Sequence, residues 1–316
     1  MRLIALLVTL FVCSGACAQW PSKPVRILVG YAPGGTADVS ARVAGEAVGR
    51  ALNQSIVVEN RPGASGGIAF EAVAKAPPDG YTLLVAPDSS LFLSLVKPSF
   101  QYSVEKHLAP ITVLTNQPMV IVTHPSTGVS SLAELVALIK VSPVELPYAT
   151  ATAAGTQNIA AEVFFRMAGV KLQNIPYKGG GQAVQDLLSG QVKIAMLGAA
   201  PVIPHGQSGK LRLVAITPKT RSPSMPGVPT IAESGYPGYD MTQWFGVLAP
   251  IGTPDEVQAR LAAEFRRALT EPAVVQRLAN SGLEPGGDAP AEFARRIKME
   301  SVTWARAARE FGIRGE

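Results

Sequence analysis

An α/β protein of two lobes separated by a cleft is the fold class this sequence predicts. Three observations carry that expectation. Short apolar runs rich in β-branched residues alternate with helical stripes, which implies mostly parallel sheets covered on both faces. Glycine-rich turns follow several of the runs, in both halves of the chain. The 316 residues, less a leader of 18, leave 298, enough for two ordinary domains.

Met1 and Arg2 make a short basic start, Leu3 to Val12 is almost unbroken apolar sequence, and Ala16-Cys17-Ala18 fits an A-x-A cleavage site. The apolar run is about half of the ~20 residues that span a membrane, so residues 1–18 are expected to be a signal peptide and the protein periplasmic. A lipoprotein start at Cys17 is the alternative, although Ser14-Gly15-Ala16 lacks the usual aliphatic residue. Cys13 and Cys17 both lie in the leader, so the mature chain has no disulfide, thiol nucleophile or cysteine metal site. The formal charge of +5 becomes +4 without Arg2. It is dispersed, and with few aromatics and no basic block nothing supports nucleic-acid binding.

The elements follow in order. Val25–Val29 reads as a buried strand and Thr36–Leu52 as a helix, with Val39, Val43, Ala47 and Ala51 on its inner stripe. Ile56–Asn60 is a second strand, and the glycines of Arg61–Gly67 open another helix. Tyr81–Val85 is a third strand, entered through the Pro77-Pro78-Asp79-Gly80 turn. No element is assigned between Val85 and Met119. The pattern resumes with strand Met119–Val122, helix Ser131–Lys140, strand Leu146–Ala149 and a helix from Thr156 to Ala168 stopped by Gly169. Asn174–Tyr177 precedes the triglycine Gly179-Gly180-Gly181 and a further helix, then come strands Val192–Met196 and Leu211–Ile216. A loop, Thr217 to Tyr239, leads to strand Trp244–Ala249. Helices are expected at Glu256–Leu269, Pro272–Asn280 and Pro290–Phe311. One lobe is expected to comprise residues 19–120 plus 245–316, the other residues 121–244.

Most catalytic chemistry is excluded. His107, His124 and His205 are far apart and lack metal-ligand spacing. There is no G-x-S-x-G elbow and no G-x-x-x-x-G-K-[ST]. Ser89-Ser90 imitates a nucleophile position, without a histidine nearby in sequence, so an exported serine hydrolase stands as the rival from another class. No cofactor or metal is expected.

Most informative is Val25–Asp38, which reads as strand, glycine turn and helix start. Such a turn aims unpaired N–H groups at the space above the strand, and the helix dipole makes that spot favour an anion. Gly34-Gly35 alone is equally an ordinary tight connection. Asp38 in the first helical turn would repel a bound anion, so it is expected to brace the turn from behind. Tyr31 and Tyr177 are read either as cleft walls or as core aromatics.

These residues resemble the Bug-type extracytoplasmic solute receptors, the substrate-binding proteins of tripartite tricarboxylate transporters. The likeness covers nearly the whole mature sequence. Its landmarks are Tyr31–Asp38, Val58–Gly67, Pro77–Leu84, Pro176–Gly179, Gly209–Arg212, Pro229–Glu233 and Trp244–Gly246. The resemblance implies a two-lobed, type II periplasmic-binding-protein-like fold with doubly wound lobes that close on a small carboxylate, held largely by main-chain amides, hydroxyls and waters. It also implies membrane transporter subunits as partners; a monomer is expected. Asn158 stands where the family usually has His, Thr152 and Ala154 replace typical glycines, and Leu197 stands where an Asp is frequent.

The function expected is capture of a small carboxylate rather than its conversion. The amides of Gly34, Gly35 and Thr36 are expected to hold one carboxylate. Thr152, Ala153, Gly155 and Thr156 are expected to grip the other end, with Ser89 and Ser90 adding hydroxyls. Pro33, Ala64, Thr150, Asn158, Gly179 and Leu197 complete the candidate site. A receptor that senses its solute for a membrane-bound regulator is the remaining alternative.

Overall fold

A computed structural model describes residues 20–97, 99–152, 155–177 and 179–310. The leader, residues 1–18, and Ala153 lie outside the described residues. The strands are β1 (Val25–Val29), β2 (Ile56–Asn60), β3 (Thr82–Pro87), β4 (Leu108–Gln117), β5 (Met119–Thr123), β6 (Leu146–Thr150), β7 (Leu172–Pro176), β8 (Ile194–Gly198), β9 (Arg212–Ile216), β10 (Gln243–Pro250) and β11 (Glu284–Pro285). The helices are α1 (Thr36–Leu52), α2 (Gly67–Ala74), α3 (Leu93–Val96), α4 (Val104–His107), α5 (Leu132–Val141), α6 (Thr156–Met167), α7 (Gly180–Ser189), α8 (Ile203–Gln207), α9 (Asp255–Ala268), α10 (Pro272–Asn280) and α11 (Pro290–Glu310).

Two sheets result, one of order β11-β4-β10-β3-β1-β2 and one of order β7-β6-β8-β5-β9. Both are sandwiched, because alternate residues of each strand point to opposite faces. Ile27 and Val29 of β1 pack with α1, α9 and α10, while Leu28 packs with α2 and α11. In the second lobe, Met119 and Ile121 of β5 join α5 and α6, and Val120 and Val122 join α7.

The sheets are mixed rather than mostly parallel. β1 pairs parallel with β2 and β3, but β10 lies antiparallel between β3 and β4. β5 likewise lies antiparallel between β8 and β9. The reason is topological. β4 ends at Gln117 where the lobes meet and β5 starts there, so β5 runs away from a boundary at which β6 and β8 end; β10 returns in the same manner.

β4 is the longest of the elements that the sequence pattern misses; α3, α4, α8 and β11 are the others. Pro110 sits inside it, and a proline usually argues against a central strand because it cannot donate to the ladder. Here β10 shifts register against β4 between Val247 and Leu248, and Pro110 pairs with Leu248 at that irregularity. α1 stops at Asn53, which adopts φ 50° and donates its N–H to the Arg50 carbonyl, while the Gln54 N–H donates to the Gly49 carbonyl.

Candidate functional site

The chain between β1 and α1 is fixed before any ligand arrives. A Cβ on Gly30 would sit 2.5 Å from the Cα of Gly66, so the first and second glycine turns touch backbone to backbone. The Tyr31 hydroxyl donates to the Ser65 carbonyl at 3.2 Å. Asp38, only 3% exposed, accepts from the Gly34 N–H at 2.9 Å, from Arg42 Nε at 2.9 and 3.0 Å, and from Asn60 Nδ2 at 2.9 Å. Burial by itself raises the Asp38 carboxyl. The Arg42, Gly34 and Asn60 hydrogen bonds outweigh it and hold the group below the usual carboxylate range.

The donors sit further along the helix than the sequence implies. Gly34 N–H is spent on Asp38, and Gly35 N–H contacts the Ala32 carbonyl at 3.4 Å. Gly35 caps α1 without a side-chain bond, and Val39 is the first residue of α1 to reach back to the cap carbonyl. The amides of Thr36 and Ala37 are therefore left to face the space above the turn.

Two more helices begin at the same space. α6 is capped by Gly155 and α7 by Gly179, again without a side-chain bond. α5, whose start lies elsewhere, is instead capped by Ser131, whose hydroxyl accepts from Glu134 N–H at 3.2 Å. In the second lobe Ala151 N–H donates to the Gln157 amide oxygen at 3.0 Å, and Thr150 Oγ1 donates to the Thr152 carbonyl at 3.0 Å. The Cβ that Gly155 lacks would strike Thr152 Oγ1, so glycine lets the second turn fold onto its helix.

These starts enclose a cavity of about 620 Å³. Tyr31, Pro33, Gly34, Gly35, Thr36, Ser89, Thr152, Gly155, Thr156 and Gly179 line it, all of them expected from the sequence. Other wall residues carry no local signature. Gln117 and Gln243 are opposite each other in the β4–β10 ladder. Gln157, Phe245 and Leu283 complete the sides. With its amide oxygen toward the loop after β8, Gln117 accepts from the N–H groups of Ala199 and Ala200 at 3.3 and 3.2 Å. No Asp, Glu, Lys, Arg or His is among the described lining residues.

Seven candidates do not reach the cavity. Asp38 is behind the turn, as above. Ala64 leaves its place to Ser65. Ser90 is buried on the turn after β3. Thr150 is fully buried and bonded to Thr152 and Asn174. Asn158 lies in α6, where its side-chain oxygen accepts from the buried Tyr148 hydroxyl at 2.7 Å. Tyr177 donates to Asp186 at 2.8 Å, which raises its hydroxyl to about 12 along with desolvation, the larger cause. Leu197 points into the core, while Gly198, on the opposite face of β8, lines the cavity.

The hydrolase alternative finds no base. His107 packs edge-on against Tyr102 and bonds Ser103, and His124 bonds Ser126. Neither they nor His205 line the cavity. Among the described residues there is no His/Cys/Asp/Glu cluster fit for a metal, and no helix long and apolar enough to cross a membrane.

Comparison with known proteins agrees with this architecture. Residues 40–313 match the model of the tripartite tricarboxylate transporter family receptor, TctC. Protein BugT of Bordetella pertussis is 36% identical over 99% of this chain and 98% of its own. A solved R. palustris protein with adipate is 32% identical, with a TM-score of 0.86 over 94% of this chain and 100% of that one. MatC from Rhodopseudomonas palustris with bound malate is 29% identical, with a TM-score of 0.80 over 91% and 99%. The two-lobed α/β architecture thus has its counterpart in periplasmic solute receptors rather than in enzymes, and the chain belongs to the Bug/TctC family of solute-binding receptors.

Proposed function

We propose that this receptor captures a small carboxylate, of the dicarboxylate size class, by main-chain amides at three helix starts. The observation that carries the reading is the convergence of α1, α6 and α7, each capped by glycine, on one cavity without charged walls. Each helix start holds roughly half a positive charge, so an anion is attracted without the desolvation of a buried lysine or arginine. Hydrogen bonds to a charged group contribute about 1.5–3 kcal/mol each. Three or four of them support micromolar binding, near −8 kcal/mol after ordering costs.

The expected division into residues 19–120 plus 245–316 and residues 121–244 is kept with each boundary moved by about two residues, so that β5 from Met119 goes with the second closing lobe and β10 from Gln243 with the first, and the pivot lies where β4 passes to β5 and β10 returns. A leader at residues 1–18 delivers the chain to the periplasm, where it hands its solute, as a monomer, to membrane subunits of a tripartite transporter. That role is inferred from the family match. The adipate- and malate-bound relatives motivate the choice of ligands.

Isothermal titration with C4 to C6 dicarboxylates, tricarboxylates, aromatic acids and the uncharged diamide of adipate tests it. At least one carboxylate binds with micromolar affinity and the diamide does not. Equal affinity for the acid and its diamide would overturn the reading.

A further inference from the structure

One buried carboxyl belongs to neither the anion-facing turns nor the apolar cores. Asp88 follows β3 on the turn Asp88–Leu91, between the cavity residues Pro87 and Ser89, and is fully buried. Its Oδ1 accepts from Ser89 N–H at 2.8 Å and from the Thr156 hydroxyl at 2.6 Å. Thr156 is the first residue of α6, so this hydrogen bond joins the lobes beside the cavity. Oδ2 is buried with no hydrogen-bond partner among the described residues. An ionised carboxylate there is poorly compensated.

The facing groups do not rescue the charge. From α11, Glu300 repels it, while Arg296 attracts it. That arginine is already bonded to Glu300 at 2.8 Å and Asn116 at 3.2 Å, with Asp288 at 3.7 Å. From the first turn comes Tyr31, whose hydroxyl is raised to about 12 by burial first, with Asp88 adding to the effect and Ser89 opposing it. β10 and α3 contain no titratable residue. Burial, then Glu300, lifts the Asp88 carboxyl to about 8 against the bonds from Thr156 and Ser89 and the charge of Arg296.

We propose that Asp88 is a proton-carrying positioning residue: neutral, it ties the start of α6 to the first lobe, and ionised, its charge opposes an anion held at that same helix end. The proposal rests on the carboxylate-capture reading. Its consequence is linkage, because a bound anion raises the proton affinity of Asp88 and capture above neutral pH takes up a proton.

Titration calorimetry from pH 6 to 9.5 with adipate as probe, in buffers of different ionisation enthalpy, tests it on the full receptor. In the wild type, affinity is level below about pH 7 and falls by up to ~10-fold per pH unit above about pH 8, with proton uptake on binding. In Asp88→Asn, whose side-chain oxygen still accepts from Thr156, affinity no longer varies with pH. Thr156→Val weakens binding several-fold at pH 6. A second readout needs no ligand: the thermal midpoint of the wild type falls from pH 5 to pH 9 more steeply than that of Asp88→Asn. A wild type that binds adipate with a flat profile to pH 9.5, or an Asp88→Asn variant with an undiminished decline, overturns the proton link alone. No carboxylate binding at any pH overturns the capture reading and the link together.

Discussion

The turn before α1 and the turn before α6 face each other across the same cavity, yet they are held in different ways. The first is braced by one ionised carboxyl, Asp38, which takes four hydrogen bonds from Gly34, Arg42 and Asn60 within its own lobe. The second is braced by neutral groups, Thr150, Asn174 and Gln157, and its helix is bonded to the opposite lobe through Thr156 and Asp88. A self-sufficient turn presents its amides in one fixed arrangement. A turn held partly by a partner across the cleft depends for its position on where the opposite lobe sits. On the carboxylate-capture reading proposed above, the first lobe would recognise the carboxylate and the second would adapt to what lies beyond it.

The contrast breaks most visibly at Asp38. Asp38→Asn leaves buried donors facing an amide, and urea unfolding should show a loss of about 1–3 kcal/mol at neutral pH, with affinity lowered at least tenfold by calorimetry. Because the folded carboxyl lies below its unfolded value, the stability it supplies is present above about pH 4 and is lost as pH falls through the folded value. The variant's deficit should therefore shrink in acid. A deficit constant from pH 7 to pH 3 would show that the ionised brace is unimportant.

Thr36→Pro sharpens the same comparison. Proline is well tolerated at the first position of a helix, and Gly35 before it already has φ −75° and ψ 168°, the extended geometry that proline requires of its predecessor. The change removes one cavity-facing N–H and leaves the helix intact. Affinity should drop by about tenfold to a hundredfold, matching one charge-assisted hydrogen bond of about 1.5–3 kcal/mol, with an unchanged thermal midpoint. Undiminished affinity in the folded variant would remove α1 from the site. The smallest effect belongs to the neutral turn. Gln157→Ala frees Ala151 N–H and should cost about 0.5–1.5 kcal/mol in binding, altering the ranking among dicarboxylates of different length more than the affinity for any one.

The first turn was legible because strand, glycines and helix start are contiguous, and each part has its own signature. What contiguity does not reveal is which amide is consumed. Asp38 stands in the first helical turn of the sequence, but only folding shows that it takes the Gly34 N–H and so moves the available donors to Thr36 and Ala37. Gln117 was hidden because β4 contains Pro110, and Gln243 because it becomes a wall only through its pairing with Gln117. Leu197 failed by a single step of strand alternation, since Gly198 takes the cavity face. Asn158 and Tyr177 are drawn off by Tyr148 and Asp186, partners distant enough in sequence that residue type alone does not betray them.

The glutamine pair at the lobe boundary has a mechanical consequence. Gln117 and Gln243 are ladder partners on the two strands by which the backbone leaves and re-enters the first lobe, so both passages are stitched into one ribbon. Rotation about the long axis of that ribbon is soft, whereas shear and splaying break ladder bonds. If the receptor closes on its solute as proposed, solutes of different length would produce the same direction of travel and differ only in how far it proceeds, and a membrane complex that reads the shut form would meet a single trajectory whatever the cargo.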